Sequence, residues 1–299
     1  MTDSQIISNG IESLNLTDKS VFVQCLDSVK NPLAVASGFI VKEQKQLFLY
    51  TCWHVVTGFN PQNVKIPPSS SSIQDRVFLE LTFRYGREAK PGLFSIESKN
   101  LVIDLYDSLE LPRRPLWYQQ SQDIPHSDLN TINLRIPSLY DIVKIPLPQE
   151  LMSNSTFNSI VVLKPDNCFD KNGFSALPTD QVCIVGYPYG YGALNRNLPL
   201  PIVLTRHVAS RVVPHLPNLQ RTYLLDGQCS PVMSGSPIFL KRRYLFYFLG
   251  IYTGLIYPDY DNASSNPREG NDKHAALGMF HPMFSDVRTG LVPYASENE

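Results

Sequence analysis

Three residues of this 299-residue chain could together do covalent chemistry, although they lie far apart in sequence. Ser234 stands in SPVMSGSPIFL (230–240), a turn-forming run that leads into a hydrophobic stretch. His54 stands in LFLYTCWHVVTGF (47–59), where a β-rich run ends and a short turn precedes two valines. Asp141 stands in LYDIVKIPL (139–147), at the head of another such run. Acyl transfer by serine needs a hydroxyl, an imidazole to take its proton and a carboxylate to fix the tautomer and orientation of that imidazole. Each residue alone also has a plain structural use, because Ser-Gly-Ser-Pro favours turns and an aspartate before a strand commonly closes one. The other histidines, His126, His207, His215, His274 and His281, read as ordinary surface or core side chains.

The elements that must position these residues are strands. Helical periodicity is scarce, and short β-rich runs recur between turn residues: 20–26, 34–41, 46–51, 76–83 and 140–147, then 159–164, 181–188, 200–213, 222–227 and 244–254. This is an all-β pattern. Many-stranded chains close into sandwiches or barrels, 24 prolines suit numerous strand-breaking connections, and two barrels of about six strands each use the length. The expected organisation is a flexible or loosely docked N-terminus (1–18), a first barrel (19–150) interrupted by a long proline-rich insertion (108–138), a second barrel (151–287) and a C-terminal tail (288–299). The 108–138 insertion reads first as a solvent-facing loop and second as a gate, because it immediately precedes Asp141.

Composition narrows the function. With 26 basic and 27 acidic side chains and no basic block, nothing suggests a surface for nucleic acid. No segment is long and apolar enough to span a bilayer, and the first twenty residues lack the features of a secretory signal. Cys25, Cys52, Cys168, Cys183 and Cys229 are odd in number and scattered, so neither a disulfide framework nor a zinc site is indicated. A reducing cytoplasm fits. Gly186, Gly190 and Gly192 in VCIVGYPYGYG lack the Lys-Ser/Thr of a phosphate loop and read as a structural hairpin. No cofactor and no metal are expected.

The three candidates share a context. SGFIV, then a strand, then YTCWHVV resembles the histidine region of trypsin-like serine peptidases; LYDIVKIPL resembles the stretch carrying their aspartate, and MSGSPIF their nucleophile region. The order His, Asp, Ser is the chymotrypsin order. VCIVGYPYGYG, FLGIYTGLIYPD and ALGMF are similar to further strands and turns of the family, and Trp117 matches a tryptophan of the insertion in stand-alone bacterial trypsin-like peptidase-domain proteins. The resemblance covers roughly residues 20–285.

That resemblance implies two six-stranded antiparallel barrels of the chymotrypsin/trypsin type with the active site in the cleft between them, and a triad of His54, Asp141 and Ser234. It implies an oxyanion hole from the backbone N–H groups of Val232 and Ser234, with Gly235 permitting the tight turn. It places the pocket base at Gln228, with walls at Cys229 and at Tyr252, Thr253 and Gly254. No carboxylate stands at that base, so a neutral P1 side chain is expected rather than Lys or Arg. Asp226 reads as a turn anchor, and Cys229 as a partly buried thiol. The family usually has glycine where this chain has Val232. If the loop requires a positive φ, valine there costs on the order of a few kcal/mol.

The expected activity is an intracellular, narrowly specific or conditionally activated serine endopeptidase acting on a protein or peptide, with an activating protein partner and an association by analogy with bacterial stress or defence. Two alternatives remain open: a catalytically impaired, peptide-binding module of the same fold, and an esterase for small acyl groups.

Overall fold

The structure is a computed structural model that describes residues 11–12, 16–59, 76–90, 93–110, 113–120, 124–125, 135–137, 140–153, 176–188, 200–210, 222–227, 229–230, 232–256, 277–283 and 290–293. The strands described are β1 (Ile11–Glu12), β2 (Val21–Leu26), β3 (Pro32–Glu43), β4 (Gln46–Thr51), β5 (Phe78–Lys90), β6 (Leu93–Asp104), β7 (Tyr118–Gln120), β8 (Ile124–Pro125), β9 (Arg135–Ile136) and β10 (Val143–Pro146). They continue with β11 (Gln181–Gly186), β12 (Ile202–Ser210), β13 (Tyr223–Leu225), β14 (Pro237–Arg242), β15 (Leu245–Ile256), β16 (Leu277–Pro282) and β17 (Leu291–Pro293). The helices are single turns, α1 (Trp53–Thr57) and α2 (Glu150–Ser153), with a 3-10 turn at Thr17–Lys19.

The fold is all-β, as expected. In the second half β15, β14, β11, β12, β13 and β16 pair in that order, and β16 pairs back onto β15, which closes an antiparallel six-stranded barrel. Closure removes the sheet edges that would otherwise expose unpaired backbone groups. Seven strands of the first half and β17 from the C-terminal segment form an antiparallel sheet of eight, β17-β7-β10-β4-β3-β2-β5-β6, rather than the six expected.

Strands β11, β14 and β15 read as continuous apolar runs because both faces are buried, each in a different core. Ile238 and Leu240 enter the core of the second barrel, while Phe239 between them joins the core of the first half. Val182 and Ile184 alternate in the same way with Cys183 and Val185, and Tyr247 and Leu249 with Phe246 and Phe248. Phe248 packs against Phe39 of β3 at 5.0 Å between ring centres. Fully burying one such side chain is worth about 1.5–3 kcal/mol, so this shared layer fixes how the halves meet. Tyr187 adds a second tie, with its ring edge-on to Phe22 at 5.3 Å and its hydroxyl donating to the Ser20 carbonyl at 3.2 Å.

Several elements depart from the expected boundaries. The hairpin of β5 and β6 is longer than the run read at 76–83, since β6 carries too many polar residues to read as a strand. β1 pairs with β15 (Ile11 opposite Phe246), so part of the N-terminal segment is docked. β17, placed in the C-terminal tail by sequence, pairs with β7, inside the 108–138 insertion. The insertion is therefore not simply a solvent-facing loop. Trp117 within it is fully buried and lies 5.4 Å from the Tyr106 ring, on which the Arg113 guanidinium also stacks at 4.1 Å. The run at 159–164 lies outside the described residues, as do Cys168, Gly190, Gly192, His126, His215 and His274.

Candidate active site

His54 sits on α1, a helix too short to satisfy its own carbonyls. Gly58, at φ +82°, turns the chain back so that its N–H donates to the His54 carbonyl at 2.8 Å, and the Arg76 guanidinium donates to the carbonyls of His54 (3.1 Å) and Val55 (2.5 Å). These bonds hold the turn that presents the imidazole.

Asp141 holds that turn from the other side. Its Oδ1 accepts the backbone N–H of His54 at 3.0 Å, its Oδ2 lies 2.5 Å from His54 Nδ1, and its carbonyl accepts the N–H of Trp53 at 3.4 Å. A carboxylate only accepts, so Nδ1 is the protonated nitrogen and Nε2 carries the lone pair. The Asp141 side chain is 5% exposed and the His54 side chain 27%, a buried anchor for a partly open base. Next to Asp141, Tyr140 is buried edge-on against His281 of β16 at 5.5 Å, which ties this segment to the second barrel.

Ser234 occupies a sharp turn ahead of β14. Gly235 beside it has φ +86°, and a Cβ there would stand 2.0 Å from the Ser37 carbonyl oxygen, so only glycine fits. The Ser234 hydroxyl donates to the Thr253 carbonyl at 3.5 Å, a long bond that leaves it free to rotate. The histidine and serine turns meet at one carbonyl, that of Tyr252, which accepts both the Gly235 N–H (2.8 Å) and the Cys52 thiol (3.4 Å). The turns that carry His54 and Ser234 thus meet at Tyr252, with Asp141 on His54 and the Ser234 hydroxyl on the Thr253 carbonyl.

Val232 has φ +77°, the left-handed region in which a β-branched side chain is strained. It stands at the third position of a turn closed by the Met233 N–H on the Ser230 carbonyl at 3.4 Å, the position where a type II turn calls for glycine. The conformation that the sequence made conditional is adopted. Among the described residues, neither the Val232 N–H nor the Ser234 N–H has a hydrogen-bond acceptor.

Of the expected pocket residues, Gln228 lies outside the described residues. Cys229 and Tyr252 are buried, Thr253 is buried with its hydroxyl on the Met279 carbonyl (3.4 Å), and Gly254 has open space where a Cβ would stand. Burial pushes the Cys229 thiol up to about 11 against the opposing pull of Arg206, which keeps it neutral and unsuited to be a rival nucleophile. Asp226 accepts the His207 N–H and pairs with its ring Nδ1, both at 2.9 Å, which ties the strand end as a turn anchor does.

Arg206 was missed by sequence, although alternation marks it. Leu204 and Val208 pack in the second-barrel core, so Arg206 between them points to the same face, opposite buried Val182. Its Nε lies 3.3 Å from where a Cβ on Gly227 would stand. Ser37 was also missed: it was quoted within SGFIV but given no task.

Cys52 Sγ, a His54 ring nitrogen and an Asp141 oxygen lie within 4.8 Å of one another and could in principle approach a metal ion. The chemistry is unfavourable. Burial and the Asp141 carboxylate hold the Cys52 thiol well above its ordinary value, so it stays protonated, and His54 and Asp141 are committed to each other.

No family model and no curated protein matches the sequence. Among solved structures, the chain is similar to a thermostable serine protease, AL20, from an extremophilic microorganism, at 10% identity and a TM-score of 0.47, over 92% of this chain and 95% of that one. It is also similar to the protease Anisep from Arthrobacter nicotinovorans, at 12% identity and a TM-score of 0.46, over 91% and 92%.

Proposed function

We propose that this chain is a serine endopeptidase using His54, Asp141 and Ser234. The observation that carries the reading is the double hold of Asp141 on His54, on a turn that shares the Tyr252 carbonyl with the turn of Ser234. His54 Nε2 takes the Ser234 proton as Oγ bonds to the carbonyl carbon of the substrate, whose oxygen becomes an oxyanion. Nε2–H then protonates the departing amine as the C–N bond breaks, leaving an acyl-enzyme. Water attacks it with Nε2 again as base, and the acid product leaves as Ser234 regains its proton.

The Val232 and Ser234 N–H groups receive the oxyanion. Each such donor is worth about 2.7–4 kcal/mol in the transition state, roughly 100 to 1,000-fold in rate. Val232 in a strained turn also supports the second reading, a protease-fold module with impaired turnover that binds peptides. A protein or peptide is the substrate in both readings, and a protein partner that settles the Val232 turn is the form activation takes. A cytoplasmic setting suits the free thiols Cys25, Cys52, Cys183 and Cys229. Arg206 beside Gly227 and Cys229 supports a cation close to the proposed pocket, which disfavours Lys or Arg at P1 and favours neutral or acidic side chains.

The test is labelling with a fluorophosphonate, which transfers phosphorus to an activated Oγ with loss of fluoride, read by intact mass. One adduct per chain is expected on the wild type and none on Ser234→Ala or His54→Ala. An unlabelled, folded wild type eliminates the constitutively active enzyme.

A further inference from the structure

We propose that Thr51 is a positioning residue that sets the gap between base and nucleophile: its hydroxyl fixes the strand leading to His54 against the residue that holds the Ser234 carbonyl. The kinetic half of this proposal rests on the protease reading above; the structural half does not.

Thr51 ends β4, just ahead of the turn that carries His54, and is fully buried. Its hydroxyl donates to the Ser37 carbonyl at 2.9 Å, while the N–H of the same Ser37 donates to the Ser234 carbonyl at 2.9 Å. One residue of β3 thus holds both arms of the site. The strand pairing explains why. β3 pairs with β2 through Ser37, which stands opposite Phe22, but its ladder with β4 stops at Phe39, opposite Tyr50. Past that point the β4 side of β3 has buried backbone groups that need other partners. At Ser37 the nucleophile turn supplies the acceptor and the Thr51 side chain supplies the donor.

The contact is close on every side. A Cβ on Gly235, the residue after the nucleophile, would stand 2.0 Å from the Ser37 carbonyl oxygen and 2.5 Å from the Thr51 hydroxyl, so the nucleophile turn lies directly against this hydrogen bond. The turn has no room to approach the histidine strand, and the hydroxyl bond keeps that strand from leaving Ser37. The other link between the arms, the Cys52 thiol on the Tyr252 carbonyl at 3.4 Å, is the weaker, because a thiol is a poor donor. A methyl group in place of the Thr51 hydroxyl changes the spacing. Carbon approaches a carbonyl oxygen only to about 3.3–3.6 Å, so the histidine strand and Ser37 would part by roughly 0.5 Å. The buried Ser37 carbonyl would also lose its donor. A misplacement of about 1 Å costs on the order of 100-fold in rate, so half that distance costs roughly tenfold.

The test compares Thr51→Val, which keeps the shape without the hydroxyl, with Thr51→Ser, which keeps the hydroxyl. In crystal structures, the separation of His54 Nε2 and Ser234 Oγ is expected to grow by about 0.3 Å or more in Thr51→Val and to stay within about 0.2 Å of the wild type in Thr51→Ser. A smaller growth in Thr51→Val, or an equal growth in Thr51→Ser, overturns the proposal whether or not the protein is a protease. In kinetics, with kcat counted per folded chain, Thr51→Val is expected to lower kcat about tenfold with KM changed less than about threefold, and Thr51→Ser to keep kcat within about threefold. A thermal midpoint that falls while kcat holds, a rise in KM alone, or equal losses in the two variants overturn it. If Thr51→Val does not fold, Thr51→Cys carries the same measurements with the same outcomes, since the Cys25 thiol comes no closer than 3.2 Å to the carbonyl it meets. If neither the wild type nor Thr51→Ser is labelled or turns over, the protease reading falls while the crystal arm still decides whether Thr51 sets the gap.

Discussion

The carboxylate of Asp141 grips His54 twice, through the backbone N–H at 3.0 Å and through Nδ1 at 2.5 Å, so one buried group sets both the position of the turn and the tautomer of the ring.

Asp141→Asn should therefore be far worse for activity than for folding. An amide oriented to keep the backbone bond presents its NH₂ to Nδ1 and shifts the proton to Nε2, where it blocks general-base action. A loss of about 10⁴-fold in kcat is expected, with the thermal midpoint little changed. Progress curves and a thermal melt check it; activity within tenfold of wild type would count against the triad.

Val232→Gly should raise both activity and stability. The left-handed turn stores on the order of 1–3 kcal/mol with valine, which glycine releases. A ranking of kcat in the order Gly, Asn, Ala, Val follows left-handed preference rather than side-chain size. A ranking by size, with Asn below Ala, would show that the side chain blocks substrate instead.

Stability should fall in alkali. Burial, against the pull of Arg76, raises the Cys25 thiol from an ordinary 9.0 to about 11, and burial raises Cys229 to about 11. A raised folded value means that the unfolded chain loses the proton first. The contribution is thus fully present below about pH 9 and is lost as pH rises toward 11, at up to about 3 kcal/mol per thiol. Thermal midpoints at pH 8, 9, 10 and 10.5 should drop progressively above pH 9, and less steeply in Cys25→Ala. A flat profile contradicts this burial-based view.

Peptide libraries scored by P1 residue should show Lys and Arg cleaved at least about tenfold more slowly than neutral or acidic residues, because a basic side chain would meet the Arg206 guanidinium. Arg206→Gln should narrow that gap. Efficient cleavage after Lys or Arg by the wild type would remove Arg206 from the substrate's surroundings.

Much of the fold was legible from hydrophobic runs bounded by turn residues, since a strand buried on both faces has a distinctive composition. β6 and β17 were not legible. β6 gains its stability from pairing with β5 rather than from its own polar sequence, and β17 is only three residues long, so its partner in the insertion makes it a strand. The candidate site was read through its turns: His54, Asp141 and Ser234 each precede or follow a recognisable β run. Arg206 and Ser37 were hidden because their significance is a matter of which neighbour lies across the barrel or across the junction.

By itself the sequence determined an all-β chain, the identities of a hydroxyl, an imidazole and a carboxylate in suitable turns, and the conflict posed by a valine where the turn wants glycine. Only the tertiary structure decided that the conflict is real, with Val232 at φ +77° and its carbonyl bonded to the Ser37 hydroxyl of β3. The physical reason is that a torsion angle is local in its cost but global in its cause: the sequence states what valine prefers, while the turn that holds it is packed against a strand 195 residues away.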